Sequence, residues 1–335
     1  MPMPAFFSRL ALPALMLCAA APAQAMDVPL GYDLAALGGS EVAPGLPGPV
    51  LPTASAYLQD REIDEAILLP TASPEGDEES RKWARDYISV AGGVITAPSY
   101  NGSDDRVILP GFYLRGRLAG FAFSTRGTNF QVDLIRQKRG QKTDFKFGPI
   151  INLRSDRTGR IKDPQVEALG EKKMAVELGI STGITHTGVV TSGYDQVGVR
   201  LVGLYDVSDK HGSWVVSPTV DYGTPLSKRA FIGVSASMNV YGKGFGRYYF
   251  DVDPLGSAAS GLPVYSGAGN KITAGKYTLG VAGAYGLSGD LRKGFVLIGG
   301  AQYGRMLGRY ADSPIVADAG SADQFLGGIG LAYQF

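Results

Sequence analysis

The stretch Gln324–Phe335, QFLGGIGLAYQF, decides the fold. Phe325, Gly327, Ile329, Leu331, Tyr333 and Phe335 fall on one side of an extended strand, and Gln324, Leu326, Gly328, Gly330, Ala332 and Gln334 on the other. Alternation with a period of two makes a strand with one greasy face. Aromatics at Tyr333 and Phe335 suit the girdle that flanks the apolar band of a membrane barrel facing outer-membrane lipid. The closing strand is also what the outer-membrane insertion machinery reads. Tyr333 and Phe335 are therefore the expected assembly signal.

The N-terminus points the same way. One positive charge at Arg9 precedes the apolar run Leu10 to Ala21, which leads to Ala23-Gln24-Ala25. That is the layout of a secretory signal, with cleavage expected after Ala25. The only cysteine, Cys18, lies inside it. Leu17 is too large for a lipoprotein site. The mature chain would then hold no disulfide and no cysteine nucleophile. Without Arg9, the 32 basic residues fall to 31, equal to the 31 acidic ones, which leaves no electrostatic footprint for nucleic acid.

After this leader no run of about 18 apolar residues occurs, although hydrophobic residues make up 44% of the chain. Forty-seven glycines among 335 residues is about twice the usual share. Glycine-rich, aromatic-studded, alternating sequence suits a barrel.

Residues 26–85 form a separate region, rich in Pro, Gly and Ala at Val42 to Pro52 and strongly charged at Glu75 to Lys82. It reads as a largely disordered periplasmic extension. From Asp86 onward, strands are expected at 86–97, 107–116, 118–126, 128–136, 143–154, 171–184, 196–207, 213–222, 229–241, 273–287, 294–305 and 324–335. The fold class is all-β: a transmembrane antiparallel barrel of about 12 strands spanning 86–335. With both ends in the periplasm, the long connectors 155–170, 242–272 and 306–323 follow odd-numbered strands and lie outside, where long loops belong. The connector 185–195 is long for a periplasmic turn.

Charge on the lipid face of a barrel is costly near the midplane. Phe145, Phe147, Ile151 and Leu153 alternate with Lys146, Gly148, Asn152 and Arg154. The same logic directs Asp133, Arg154, Glu177, Arg200 and Asp221 into the lumen. There they either neutralise one another or line a path or ligand site.

Catalytic constellations are lacking. The two histidines, His186 and His211, sit in expected turns with no metal-ligand spacing. No nucleophile elbow is present. Gly242-Lys243-Gly244-Phe245-Gly246 has no following helical pattern and reads as a flexible loop rather than a phosphate site. Asp104, Asp105, Asp312 and Asp318 read as solvated loop acids, because their spacing does not match a calcium loop. The expectation is a chain with no catalytic residues, no cofactor and no metal.

Three loop segments carry a family resemblance. Pro98-Ser99-Tyr100-Asn101-Gly102-Ser103-Asp104-Asp105, followed by Leu109-Pro110, resembles the opening hairpin of the MipA/OmpV family of outer-membrane proteins. Tyr248-Tyr249-Phe250 with Ser260-Gly261-Leu262-Pro263-Val264-Tyr265 and Gly267-Ala268-Gly269 is similar to that family's long loop. Leu307-Gly308 with Asp312-Ser313-Pro314-Ile315-Val316 resembles its final loop. The resemblance covers about residues 86–335. It implies a non-enzymatic barrel in the outer membrane of a Gram-negative bacterium, acting as a scaffold between a murein-degrading lytic transglycosylase and a peptidoglycan synthase. Other members are described as adhesins or as stress-induced antigens, and a small channel is the remaining alternative. The stretch 27–84 is longer than the family pattern, and Gln334 stands where a basic residue is common.

Overall fold

The computed structural model describes residues 86–138, 141–292 and 294–334. The expected leader at 1–25, the extension at 26–85 and Phe335 lie outside the described residues. Twelve antiparallel strands close into a barrel in which each strand pairs with its sequence neighbour and the first pairs with the last. They are β1 (Tyr87–Pro98), β2 (Arg106–Leu118), β3 (Phe121–Arg126), β4 (Asn129–Val132), β5 (Thr143–Arg154), β6 (Ala175–Thr187), β7 (Gln196–Asp206), β8 (Trp214–Pro225), β9 (Ala230–Tyr241), β10 (Thr273–Gly286), β11 (Gly294–Met306) and β12 (Asp323–Gln334). Full closure leaves no free sheet edge to satisfy in lipid. Among the described residues no helix is long and apolar enough to cross a membrane.

The alternation in β12 sets the pattern for the whole wall. Phe325, Ile329 and Leu331 stand exposed on the outside, whereas Gln324, Leu326 and Ala332 are buried inside. Val90, Val94, Phe145, Phe147, Leu178, Ile180, Val199, Leu201, Leu279 and Val281 continue the exposed apolar band. Aromatics bound it at two levels on three adjacent strands. Tyr277, Tyr303 and Phe325 lie at one level, with ring centroids 6.1 and 5.2 Å apart. Phe295 and Tyr333 lie at the other, 5.0 Å apart, with exposed Tyr285 on the same strand as Tyr277. Each strand places its two aromatics eight residues apart. That is roughly 26 Å of strand at about 3.3 Å per residue, the scale of a hydrocarbon band crossed at a tilt.

Connectors differ sharply between the two ends. The turn end carries connectors such as Ala119-Gly120, where φ of +52° and +82° supplies the type I′ geometry that matches strand twist. The β6–β7 connector, residues 188–195, is tied down by Asp195, whose carboxylate accepts N–H bonds from Val189, Val190 and Thr191 at 2.7, 2.8 and 2.6 Å. Burial pushes the Asp195 carboxyl up, but these donors and the Tyr222 hydroxyl outweigh it and hold it below its ordinary value.

The loop end is built up. Connector 155–174 contains α1 (Pro164–Ala168); connector 242–272 contains α2 (Lys243–Tyr249) and α3 (Pro254–Ser260); connector 307–322 contains a 3₁₀ turn (Gly308–Tyr310) and α4 (Pro314–Ala317). Asp163 and Asp253 cap α1 and α3 through Val166 N–H (2.9 Å) and Gly256 N–H (2.6 Å), each followed by a proline at the first helical position. Tyr100, Ile161, Val166, Val252, Leu262, Ile315 and Ala319 form a core above the barrel. The connectors thus pack as one folded lid.

Three local expectations need correction. The strand expected at 128–136 ends at Val132. Asp133 therefore stands past the end of β4 and not on a strand. Its Oδ1 accepts the N–H groups of Ile135 (3.0 Å) and Phe147 (3.1 Å), a side-chain alternative to the ladder that leads the chain out of the sheet. The strand expected at 171–184 is displaced to Ala175–Thr187, so His186 lies on β6 and not in a turn, with Nδ1 2.7 Å from Thr143 Oγ1. Finally, Lys243–Tyr249 is a helix, not a flexible loop. A Cβ on Gly244 would come 2.1 Å from His211 O and one on Gly246 2.2 Å from Ala268 O, so these glycines permit close packing.

Candidate functional site

The lumen holds two polar regions, and the five charged residues expected there divide between them. Strand register places Arg154 beside Ala175 and Asn152 beside Glu177. Glu177 in turn lies opposite Asp206. In this loop-end region the Glu177 carboxylate receives Arg154 Nε on Oε1 at 2.7 Å and Arg154 Nη2 on Oε2 at 2.9 Å. Asn152 Nδ2 reaches Oε2 at 2.6 Å, and His211 Nε2 lies 2.9 Å from Oε1. The Glu177 and His211 side chains are 1% and 0% exposed. A buried carboxylate survives only when paired and hydrogen-bonded in this way.

His211 arrives from the β7–β8 connector, and Asp206 fixes it there. The Asp206 Oδ2 atom accepts N–H bonds from Lys210 (2.7 Å), His211 (2.7 Å) and Gly212 (3.0 Å). Above the network sits Phe245 of α2, fully buried, with the Arg154 guanidinium 5.1 Å from its ring centroid. Phe245 stacks on Tyr241 at 4.1 Å and meets Tyr249 at 4.9 Å; Tyr310 closes on Tyr241 at 5.1 Å. Ile150, Leu204, Val215, Phe250, Met306 and Val316 complete this packed apolar layer across the barrel. Every oxygen of Glu177 is held by fixed donors, which leaves it a structural group and not a proton carrier.

The second region lies toward the turn end. Asp133, Arg200 and Asp221 line one cavity of about 100 Å³, together with Tyr113, Arg115, Gln137, Lys146 and Gln196. Tyr87, at the start of β1, is also on its wall and lies under the Arg115 guanidinium at 5.3 Å. Glycines at 183 and 198 form part of the floor. Sequence reasoning placed Lys146 and Asn152 among inward positions without singling them out. It missed Phe245, whose signal was the glycine spacing around it. His211 lies in a connector as expected, but nothing local in the sequence joins it to Glu177.

A family model described as "MltA-interacting protein MipA" matches residues 90–335. The chain belongs to the MipA family. As a member of that family it is an outer-membrane β-barrel, in keeping with its closed wall, apolar band and paired aromatic levels. Among curated proteins no match is found. Among solved structures the chain is similar to an outer-membrane channel from Pseudomonas putida F1, at 12% identity and TM-score 0.35, covering 79% of this chain and 100% of that one. It is also similar to OmpT of Vibrio cholerae, at 8% identity and TM-score 0.30, over 75% of this chain and 97% of the other. The CymD monoaromatic hydrocarbon channel matches at 11% identity and TM-score 0.34, over 76% and 90%.

Proposed function

We propose that this MipA-family barrel is a non-conducting, non-enzymatic scaffold of the outer membrane that docks a murein-degrading lytic transglycosylase of the MltA type. The closed loop end carries the reading. A channel needs a continuous wet path, whereas here Phe245, Tyr310 and Ile315 are 0% exposed within a folded lid. Long connectors of outer-membrane barrels belong outside, so this reading puts the lid outside the cell and the turn end in the periplasm, where murein enzymes work. Tyr333 and the terminal aromatic belong to assembly and not to the partner surface.

Supporting the docking role, turn-end connectors expose Val189 (51%), Val190 (68%), Leu226 (59%) and Leu287 (55%). Exposed apolar side chains grouped at one rim are the composition of an interaction surface. The test is capture of the transglycosylase from cross-linked envelopes by the full chain. Capture is expected for the native protein, with a several-fold fall for Val190→Asp combined with Leu226→Asp. Equal recovery with the double variant, or none with either, contradicts the reading.

A further inference from the structure

The turn-end cavity has more hydrogen-bond donors than acceptors to receive them. Arg200 Nε, Gln196 Nε2 and Gln137 Nε2 are buried and meet no acceptor among the described residues. Lys146, on the same cavity wall, enters no ion pair among them. Buried donors of this kind are rare in folded proteins, and a group of them facing one space calls for an acceptor from outside the chain.

Register explains why they converge. Lys146 lies opposite Gly183, and Gly183 lies opposite Arg200, so the two cations flank a residue with no side chain. At about 4.8 Å per strand their Cα atoms stand roughly 10 Å apart, room for one small group between the two heads. One row toward the turn end, Gly198 repeats the device between Thr185 and Asp221. The two glycines thus put no side chain between flanks that carry a guanidinium and an ammonium. The acids on the cavity do not fill this role. Asp133 accepts two backbone N–H bonds on Oδ1, its buried Oδ2 is an acceptor that no hydrogen bond uses, and Asp221 stands beside Gly198, so three buried donors face one such acceptor. Their negative charge opposes any anion, and the three cations on the same wall, Arg115, Lys146 and Arg200, outnumber the two acids.

We infer that the turn-end cavity is a binding site for a small oxyanion, a single carboxylate or phosphate group held by Arg200 and Lys146 with Gln196 and Gln137 as further donors. A guanidinium suits such a group because its fork matches two oxygens at once, and the ammonium adds a point charge. The volume of about 100 Å³ admits an ion of a few heavy atoms and excludes a drug-sized ligand. The lid closes the opposite end, so the ion enters from the turn end. This site is independent of the docking role.

Inorganic phosphate, titrated calorimetrically into the full chain folded in neutral detergent, tests the assignment. Saturable uptake is expected, weakened about tenfold or more by Arg200→Met and by Lys146→Met, the loss that goes with removing one charged donor. Arg305→Met, outside the cavity and paired with Asp323 at 2.7 Å, serves as the control and should bind like the native chain. Absence of saturable uptake by the native protein overturns the proposal, as does native-like uptake by both cavity variants. Should Arg200→Met fail to fold by heat-shifted gel mobility, Lys146→Met and Gln196→Leu decide alone: weakened uptake supports the site and unchanged uptake refutes it.

Discussion

The two polar regions of one lumen use the same residue types to opposite ends. At the loop end Arg154, Glu177, His211 and Asn152 are joined in a network under an aromatic layer. At the turn end Arg200 and Lys146 face a cavity with donors left over. What separates them is the chain that reaches them. A connector of 31 residues, 242–272, inserts α2 over the first region and excludes water from it. No comparable segment among the described residues covers the second. Under the aromatic layer the charged groups find their partners inside the chain, whereas the cavity leaves its buried donors to a group from outside.

The sharpest break in this contrast is Glu177→Ala. It strands Arg154 and His211 without their carboxylate, and removal of one partner from a buried pair costs about 3–5 kcal/mol. Urea unfolding in micelles should show a loss of this size; a loss under 1 kcal/mol means that the region is wet. Next comes Phe245→Ala. A truncated core phenylalanine costs about 3–5 kcal/mol where the site cannot collapse. Here the cost falls on the lid, so limited proteolysis should cut 242–272 at least several-fold faster while the strands stay protected. Arg200→Met, by contrast, should shift stability by no more than about 1 kcal/mol, because no partner is stranded. A loss matching that of Glu177→Ala erases the distinction between the two regions.

A smaller effect concerns pH at the turn end. Asp195 is held below its ordinary value in the folded chain, so its contribution is present above the unfolded value of about 3.9 and is lost as pH falls below it. Protection of the Val189, Val190 and Thr191 amides, their exchange relative to the intrinsic rate at each pH, should therefore fall below about pH 4 in the native protein. Asp195→Asn should remove that fall. Protection that stays constant through this range in the native chain shows that the carboxylate does not hold the connector.

Much of the barrel was legible because each strand declares its own two faces. Phe325 and Leu331 against Leu326 and Ala332 need no knowledge of the rest of the chain. Inward charge follows from the same rule, which is why Arg154, Glu177, Arg200 and Asp221 could be assigned to one side. Pairing was not legible. Whether Glu177 meets His211 depends on strand register and on a connector that returns 34 residues later. The strand expected to run through Asp133 stops before it, because its carboxylate takes over backbone N–H bonds that a longer strand would have used. The glycines at 242, 244 and 246 looked flexible, since sequence does not show that Ser213 Oγ, His211 O and Ala268 O respectively press against them.

Single-channel recording in planar bilayers tests the central claim most directly, that the lid closes the lumen. The native chain should give no steady conductance, and Phe245→Ala should give measurable openings under the same conditions. Steady, voltage-independent conductance from the native protein, equal to that of the variant, would contradict the account.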